Sequence, residues 1–306
     1  MTMRPLFAAI ELGGTKIVCG LADAEGKLLE RVTIDTKTPG VSLLEMREVL
    51  NGFVRVHGEF AGLGIGTFGP VRLNQSADDF GRIGLTPKTD WRNCALFRYF
   101  YDAFAVPIAL DTDVNAAAMG EATWGAAVGC DPVVYITVGT GIGGGVMVNG
   151  TPVHGLMHPE MGHMRVPRAA GDDFVGNCPT HGDCIEGLAA GPAVVARWGK
   201  KLSELPEGHA AYGQIGHYLA RLLVNAILML SPTRIILGGG VMRNTALFPV
   251  IRQNVLEQLN GFIAVDEIEQ HIDRLIVAPG LGDDAGVLGA VALAMKVTGT
   301  PSTNVP

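Results

Sequence analysis

The 306-residue sequence is poor in charged and aromatic residues, and it contains no long apolar run. Charged residues make up 17% of the chain, and the net charge is −7 at pH 7. No cluster of Lys and Arg occurs, so we do not expect a nucleic-acid partner, because phosphate backbones bind concentrated positive charge. The longest apolar stretch, residues 222–230, is too short to cross a bilayer and contains Asn225. We therefore expect no membrane partner either.

Cysteine is also scarce, and signals for secretion are missing. Five cysteines in a chain of this length do not indicate a disulfide framework. Cys19, Cys94 and Cys130 stand singly, and we interpret them as buried structural thiols. The N-terminus lacks the basic region and the cleavage site of a signal peptide. These observations predict a cytoplasmic protein, and the length with 48% hydrophobic residues predicts two domains.

Glycine, in contrast, is abundant, and its densest stretch lies near the middle of the chain. Residues 133–138 are β-branched or aromatic almost throughout, which predicts a short buried strand. The predicted turn after this strand contains Gly139, Thr140, Gly141, Gly143, Gly144 and Gly145. Glycine accepts positive φ and leaves backbone N–H groups open to an anion, so the turn suits phosphate. Ordinary hairpins also use glycine, and the stretch alone is a weak signal.

The same order of apolar strand and glycine turn occurs twice more. Near the N-terminus the predicted strand is followed by Glu11, Gly13, Gly14, Thr15 and Lys16. Far downstream the apolar residues 234–237 are followed by Gly238, Gly239 and Gly240. Three such turns indicate one nucleotide held between two related halves of the chain. They do not fit a Rossmann fingerprint, and no Walker A loop is present.

Two carboxylates each leave two interpretations open. Asp113 follows a predicted strand at residues 107–111 and precedes the helix formers of residues 116–124. It is therefore either an N-cap or a general base for a hydroxyl. Glu186 is either an exposed helix residue or a carboxylate that hydrogen-bonds a polar substrate.

Soft and borderline metal ligands are concentrated in one loop-like stretch. They are Cys178, His181 and Cys184. Spacings of three residues, with Pro179 and Gly182 between them, suit a tetrahedral zinc site. A fourth ligand is needed, and we choose His163 over His154 and His158. The alternative is two small apolar thiols beside a solvated histidine.

Six separated motifs together resemble the ROK family of sugar kinases and sugar-responsive repressors. In chain order they are ELGGTK at 11–16, DTDVN at 111–115, GTGIG at 139–143, HPEMGH at 158–163, CPTHGDC at 178–184 and LGGG at 237–240. Four motifs are most similar to the bacterial fructokinase branch of this family. They are HPEMGH, CPTHGDC, TFGP at 67–70 and TPKTDW at 86–91. The resemblance covers nearly the whole chain.

The resemblance implies an α/β protein with the actin-like ATPase fold of sugar kinases and heat-shock ATPases. Two domains are then expected to close over a central cleft. Residues 1–113 would form a small domain completed by a C-terminal helix at 286–306, and residues 114–285 a large domain with a zinc-binding loop at 154–190. The resemblance also implies a homodimer that uses ATP with Mg²⁺, a structural Zn²⁺ and a sugar substrate.

For individual residues, the resemblance implies Asp113 as the catalytic base. It implies sugar contacts from Glu160, His163, Glu186, Thr67, Gly69, Pro70 and Thr112. The branch activity is the conversion of D-fructose to fructose 6-phosphate. Two departures stand out: Glu11 replaces the usual Asp of the first turn, and Thr112 replaces the Asn of glucokinase-type members, which disfavours glucose recognition. Lys16 either approaches a phosphate or is a solvated charge.

Other activities within the same family remain as alternatives. A glucokinase, a mannokinase or an amino-sugar kinase would use the same motifs. A repressor would need a DNA-binding helix-turn-helix ahead of the first strand, and only five residues precede Leu6. The remaining alternative from another class is therefore a sugar sensor without catalysis.

Overall fold

The computed structural model describes residues 4–300, which form two compact units. Unit 1 contains the residues up to Gly129, the segment Gly150–Pro159 and the residues from Gly280 onward. Unit 2 contains Cys130–Asn149 and Glu160–Pro279. None of the helices in the described part of the chain is both long and apolar enough to span a membrane.

The secondary structure alternates between strands and helices along the chain. The strands are β1 (Leu6–Leu12), β2 (Lys16–Asp23), β3 (Leu28–Asp35), β4 (Gly62–Thr67), β5 (Ile108–Thr112), β6 (Val133–Val138), β7 (Ile142–Val148), β8 (Thr151–Pro152), β9 (Arg234–Gly238) and β10 (Ile276–Val277). The helices are α1 (Pro39–His57), α2 (Leu96–Ala103), α3 (Asp113–Trp124), α4 (Ile185–Ala189), α5 (Gly191–Trp198), α6 (Ala210–Leu230), α7 (Leu247–Leu259), α8 (Asp266–Glu269), α9 (Ile272–Leu275) and α10 (Ala285–Thr298).

Unit 1 is built on a mixed sheet with the strand order β3-β2-β1-β4-β5. β1 pairs antiparallel with β2 and parallel with β4, and β4 pairs parallel with β5. Successive side chains of β1 point to opposite faces. Ile10 and Leu12 therefore enter one core with α1 and α2, whereas Phe7 and Ala9 enter a second core with α10. Both faces of the central strands are covered, which explains their apolar sequences.

Helix α3 packs against α10 within unit 1, and this packing explains a difference from the sequence prediction. The boundary predicted at residue 113 assigns α3 to the second domain, whereas the structure assigns residues 114–129 to unit 1. A Cβ atom on Gly289 of α10 would lie 1.8 Å from the carbonyl oxygen of Ala116, so the two helices meet backbone to backbone. Residues 301–306 of the predicted C-terminal helix lie outside the described residues.

Unit 2 contains strands in the order β10-β9-β6-β7, with β6 antiparallel to β7 and parallel to β9. Here the predicted glycine turn is shorter than expected. Gly143, Gly144 and Gly145 lie within β7, paired with β6. The turn itself is closed by a hydrogen bond from the Gly139 N–H to the Gly141 carbonyl, at 2.8 Å. Cross-strand pairing with the apolar β6 overrides the low strand propensity of glycine.

The helical residues between Ile185 and Trp198 form two short helices. Helix α4 ends at Ala189 and α5 begins at Gly191, with Ala190 extended between them. Pro192 lies in the first turn of α5. Because proline has no backbone N–H, it cannot continue the hydrogen bonds of a preceding helix, but it suits the start of a new one.

Candidate active site

The turn between β1 and β2 brings together the predicted phosphate-binding residues of unit 1. Within it, the Gly13 N–H donates to the Lys16 carbonyl at 3.1 Å. Thr36, at the end of β3, fixes the turn from the side: its hydroxyl donates to the Gly13 carbonyl at 2.8 Å and its N–H to the Thr15 carbonyl at 3.0 Å. Gly14, at the tip, is exposed. The turn is therefore a fixed loop with its glycines at the surface of unit 1.

Glu11 is the penultimate residue of β1, and its carboxylate lies against Gly286 of α10. Its Oε2 atom is buried and has no hydrogen-bond partner among the described residues. Burial raises the pKa of Glu11 above its ordinary value, although Lys16 opposes the shift. A cation satisfies a buried carboxylate oxygen of this kind, and carboxylates are preferred Mg²⁺ ligands. The observed surroundings of Glu11 therefore fit Mg²⁺.

The turn between β5 and α3 carries Asp113. Thr112 is the N-cap of α3, because its hydroxyl accepts the Asn115 N–H at 3.1 Å. The N-cap interpretation of Asp113 is therefore wrong: Asp113 is the first helical residue. It is half-buried, and its Oδ1 atom accepts the Val114 N–H at 2.9 Å. An anionic side chain in the first helical turn is stabilised by the helix dipole.

Four residues of unit 1 that are predicted to contact the sugar, here called the sugar wall, lie at or shortly after the carboxyl ends of β4 and β5. Thr67 and Thr112 are paired across these two strands at their carboxyl ends. Gly69 and Pro70, joined by a cis peptide bond, follow β4 after Phe68. The Val71 N–H then donates to Nε2 of His158 at 3.1 Å. The structure thus places the four predicted wall residues at one edge of the sheet.

Unit 2 brings together the other predicted sugar ligands. A short 3₁₀ turn, Met161–His163, lies against the start of β7, since a Cβ atom on Gly162 would be 1.8 Å from the Ile142 carbonyl oxygen. Only glycine permits this approach. Oε2 of Glu186 accepts the Ile142 N–H at 3.0 Å. Burial raises the pKa of Glu160 to about 7, and the neighbouring Glu186 adds to the shift. Glu160, Glu186 and the glycine turn are therefore neighbours.

The two glycine turns of unit 2 lie side by side. Gly239 has a φ of 89°, a conformation that favours glycine. The Val241 N–H donates to the Val138 carbonyl at 2.9 Å, which holds the Gly238 to Gly240 turn beside the end of β6. A Cβ atom on Gly139 would lie 3.9 Å from the backbone nitrogen of Gly240. Thr140 is exposed at the tip of its turn.

The predicted metal ligands converge in unit 2. The ligand atoms of His163, Cys178, His181 and Cys184 all lie within 4.8 Å of one another. Nδ1 of His163 is 3.8 Å from the Cys178 sulfur and 3.6 Å from the Cys184 sulfur. In a tetrahedral zinc site, neighbouring sulfur and nitrogen ligands lie about 3.6 Å apart. The donor set and its spacing therefore fit zinc.

The loop that carries these ligands is anchored by Asp172. Its carboxylate accepts two parallel hydrogen bonds from Arg197 of α5, at 2.8 and 2.9 Å. It also accepts hydrogen bonds from Gln214 and Tyr218 of α6 and from the Phe174 N–H. Burial alone raises the pKa of Asp172, but these hydrogen bonds, that from Arg197 foremost, outweigh it and lower the pKa to about 2.

Three further residues near the predicted site were not identified from the sequence. Lys88 lies on the first glycine turn, because its Cε atom would be 3.4 Å from a Cβ on Gly14. The TPKTDW motif was the available signal for it. Asp111 and His154 form an ion pair at 2.9 Å. They are 43 residues apart, and the sequence indicated His154 only as an alternative metal ligand.

Comparison with known proteins places these geometries in a family context. The sequence profile of the ROK family matches residues 7–297. A fructokinase of Zymomonas mobilis is 42% identical over 95% of this chain and 97% of its own length. A putative fructokinase of Bacillus subtilis is 40% identical over 94% of this chain and 95% of its own length.

Solved structures show a similar arrangement. The crystal structure of a ROK family glucokinase from Streptomyces griseus, in complex with glucose and AMPPNP, is 25% identical in sequence. It matches with a TM-score of 0.73 and covers 95% of this chain and 99% of its own. The similarity therefore extends over both units of the chain.

The anchoring of the loop by Asp172 predicts a specific loss of stability. In Asp172→Asn, Arg197 loses its charged partner, and we expect a loss of about 1.5–3 kcal/mol from the free energy of unfolding. Because the pKa of Asp172 is lowered, the stabilisation is present above the unfolded-state pKa of about 3.9. It is lost as the pH falls toward about 2. Denaturation at pH values from about 6 to about 3 measures both effects.

The matched control is Asp102→Asn, which removes an exposed pair with Arg98 at 2.9 Å. We expect a change below about 1 kcal/mol for this variant. Hydrogen exchange of residues 164–184 should accelerate in Asp172→Asn and stay unchanged in the control. Equal effects of the two substitutions would contradict the anchoring role.

Proposed function

The chain belongs to the ROK family, and on this basis we propose that it is an ATP-dependent fructokinase that converts D-fructose to fructose 6-phosphate. The observation that carries the proposal is the similarity to fructokinases over nearly the whole chain. The α/β class and the actin-like ATPase fold expected from the sequence are confirmed by the mixed sheets and the similar ROK structures.

Asp113 is proposed as the general base. A sugar hydroxyl is a poor nucleophile at neutral pH, so a carboxylate within hydrogen-bond reach must take its proton. The sugar oxygen forms a bond to the γ-phosphorus as the bond to the bridging oxygen of ADP breaks, and the proton passes to Asp113. The start of α3 holds this carboxylate on ordered backbone. Base catalysis of this kind contributes about 10²–10⁴-fold to the rate.

Two sets of residues are proposed as sugar ligands, and each set is described within its own unit. Glu160, His163 and Glu186 provide hydrogen-bonding groups from unit 2, where Glu160 and Glu186 are neighbours. Thr67, Gly69, Pro70 and Thr112 provide the wall from unit 1, where Thr67 and Thr112 are paired across strands. Correct orientation of the hydroxyl accounts for a large part of catalysis in transfers of this type.

The glycine turns are proposed to hold the nucleotide phosphates. Backbone N–H groups of such turns bind anionic oxygens without a net charge of their own. The residues proposed for this role are Gly13, Gly14, Thr15, Lys16, Gly139, Thr140, Gly141, Gly143, Gly238, Gly239 and Gly240. Glu11 would hold Mg²⁺, directly or through water, and the ion would supply positive charge to the phosphate oxygens.

Zinc is proposed as a structural ion on His163, Cys178, His181 and Cys184. Four protein ligands complete a tetrahedral shell and leave no position for a reacting water. In His163, Nδ1 faces the two thiol sulfurs. Its Nε2 atom is then available to the sugar, and the metal site would determine the orientation of the ring.

The remaining expectations stay proposals. A glucokinase, a mannokinase, an amino-sugar kinase or a non-catalytic sugar sensor are the alternatives, and no feature of the described residues favours any of them. We propose a homodimer, because the family resemblance implies one, and a cytoplasmic location, because ATP, the phosphoryl donor, is a cytoplasmic metabolite. We propose no nucleic-acid partner, because the chain lacks a basic cluster.

A coupled assay with Mg-ATP and a panel of hexoses tests the substrate. We expect D-fructose to give the highest kcat/KM, because Thr112 and the residues 158–163 match the fructokinase branch. A higher value for glucose, mannose or an amino sugar would replace the substrate assignment. Binding of several sugars without phosphorylation would favour the sensor.

The substitution Asp113→Asn tests the proposed base. Asn is nearly isosteric but cannot accept the proton, so kcat should fall by at least about two orders of magnitude. The loss of favourable charge at the helix start should cost only about 0.3–1 kcal/mol of stability. Glu25→Gln, an exposed carboxylate in unit 1, serves as the control. Retained activity in Asp113→Asn would assign a structural role to the residue.

The zinc proposal is tested by elemental analysis of protein purified without chelator. We expect about one equivalent per chain, as a closed four-ligand site binds tightly. Metal removal, or Cys184→Ser, should raise the KM for fructose and loosen residues 154–190 more than it weakens nucleotide binding. Cys94→Ser, which changes a cysteine outside the cluster, should have neither effect. Well-folded, active protein with less than about half an equivalent of zinc would refute the proposal.

A further inference from the structure

Asp111 is the most enclosed charged group at the β5–α3 turn, and the proposed mechanism does not use it. Only 3% of its side chain is exposed. Its Oδ1 atom accepts two hydrogen bonds at 2.7 Å, one from the Thr112 N–H and one from the Asn115 side-chain amide. A buried carboxylate remains ionised only where hydrogen bonds and opposite charge compensate its lost hydration.

His154 supplies the remaining partner. Its Nε2 atom lies 2.9 Å from the second carboxylate oxygen of Asp111, and 38% of its side chain is exposed. His154 belongs to the segment Gly150–Pro159, which is part of unit 1 together with β5 and α3. The histidine thus reaches the buried carboxylate from a loop and keeps contact with solvent.

Asp111 accepts hydrogen bonds from residues on both sides of Asp113 in the chain. Thr112 and Asn115 both bind Asp111, and they also bind each other, because the Thr112 hydroxyl accepts the Asn115 N–H. Asp113 lies between these two residues in the chain. The Asp111 carboxylate therefore holds the residues on either side of Asp113.

We propose that His154 is a positioning residue for the phosphoryl transfer: by pairing with Asp111, it holds the turn at residues 112–115 so that Asp113 faces the acceptor hydroxyl. The inference rests on the proposed role of Asp113 as the general base. His154 itself does not touch the reacting atoms.

The surrounding charges give the pairing a pH dependence. The groups that face His154 are Asp111 on β5, Lys296 on α10 and His158 in the same segment. The hydrogen bond to Asp111 raises the pKa of His154, whereas burial and Lys296 oppose the shift. Burial lowers the pKa of His158, whose Nε2 accepts the Val71 N–H.

The direction of the pH dependence follows from the raised pKa of His154. The ionic part of the pairing is fully present below the unfolded-state pKa and is lost as the pH rises through the folded-state pKa. Above that pH, the neutral ring still donates a hydrogen bond from Nε2. A decline of kcat on the alkaline side is therefore expected in the wild-type protein.

The test compares three variants with the wild-type protein in the fructose assay. His154→Leu removes both charge and donor, and kcat should fall about tenfold or more while the KM for fructose changes less than about threefold, since misplacement of a catalytic group mainly slows the chemical step. His154→Gln keeps a donor at the position of Nε2. It should retain kcat within about threefold of the wild type and lose the alkaline decline.

Asp111→Asn completes a double-mutant cycle with His154→Leu. If the pair acts as one unit, the double variant should be as active as the less active of the two single variants. The control is His57→Leu, which breaks a His–Glu pair with Glu30, at 2.8 Å, elsewhere in unit 1. It should leave kcat and its pH profile unchanged.

A measurement independent of turnover completes the experiment. Because the Asn115 N–H donates within the turn, its hydrogen exchange should accelerate about tenfold or more in His154→Leu and remain slow in His57→Leu. NMR titration of the ring nitrogens should show a lower pKa of His154 in Asp111→Asn.

Several results would overturn the inference alone. The first is a kcat of His154→Leu within about twofold of the wild-type value. The others are additive losses of kcat in the double-mutant cycle and unchanged hydrogen exchange of the Asn115 amide. A His154→Gln variant that keeps the alkaline decline would overturn the charge argument. Wild-type protein that phosphorylates no hexose would instead refute the proposed function, and the catalytic part of the inference with it.

Discussion

The close packing of α10 is the constraint on which unit 1 depends. This helix meets α3 backbone to backbone at Gly289 and also lies against the carboxylate of Glu11. One helix therefore locates both the end of β1, proposed to hold Mg²⁺, and the helix that begins at Asp113. Protein interiors are packed like crystals, so a shift of α10 is transmitted to both places.

In unit 2, side-chain contacts position the loop that carries the metal ligands. Its loop 164–184 has little regular structure, and the hydrogen bonds of Asp172 hold it. The proposed zinc ion would hold the loop a second time, through the cluster of four metal ligands. The hydrogen bonds depend on an ionised carboxylate, and zinc binding would depend on deprotonated thiols. Acid would therefore weaken both sets of contacts, whereas a chelator would act on the proposed zinc site alone.

Local patterns were sufficient to predict much of this arrangement. The spacing of Cys178, His181 and Cys184 predicted a metal cluster that the structure brings together, because ligands close in sequence need only one turn of loop to converge. The strands before the glycine turns were likewise visible in their β-branched residues. Strand β7 was not, since Gly143, Gly144 and Gly145 have no strand propensity and only the pairing with β6 makes them a strand.

Contacts between distant residues were the other limit of the sequence analysis. Nothing near His154 in the chain indicates Asp111 as its partner, because 43 residues separate them and the pairing arises only when a loop returns to the sheet edge. The same applies to the boundary of unit 1, which depends on the packing of α3 on a helix about 170 residues later. Local sequence reports propensity and capping, but it does not report which distant element covers a surface.

The division of unit 1 into separate segments has a consequence for biosynthesis. Residues up to Gly129 are synthesised first, then unit 2 with the intervening segment Gly150–Pro159, and only afterwards α10. Until α10 emerges, the apolar face formed by Phe7, Ala9 and Val18 has no cover, and such a face is prone to aggregation. A nascent chain that stops before α10 therefore leaves this apolar face exposed. Chaperones and proteases recognise such a face, so they distinguish unfinished chains from finished ones.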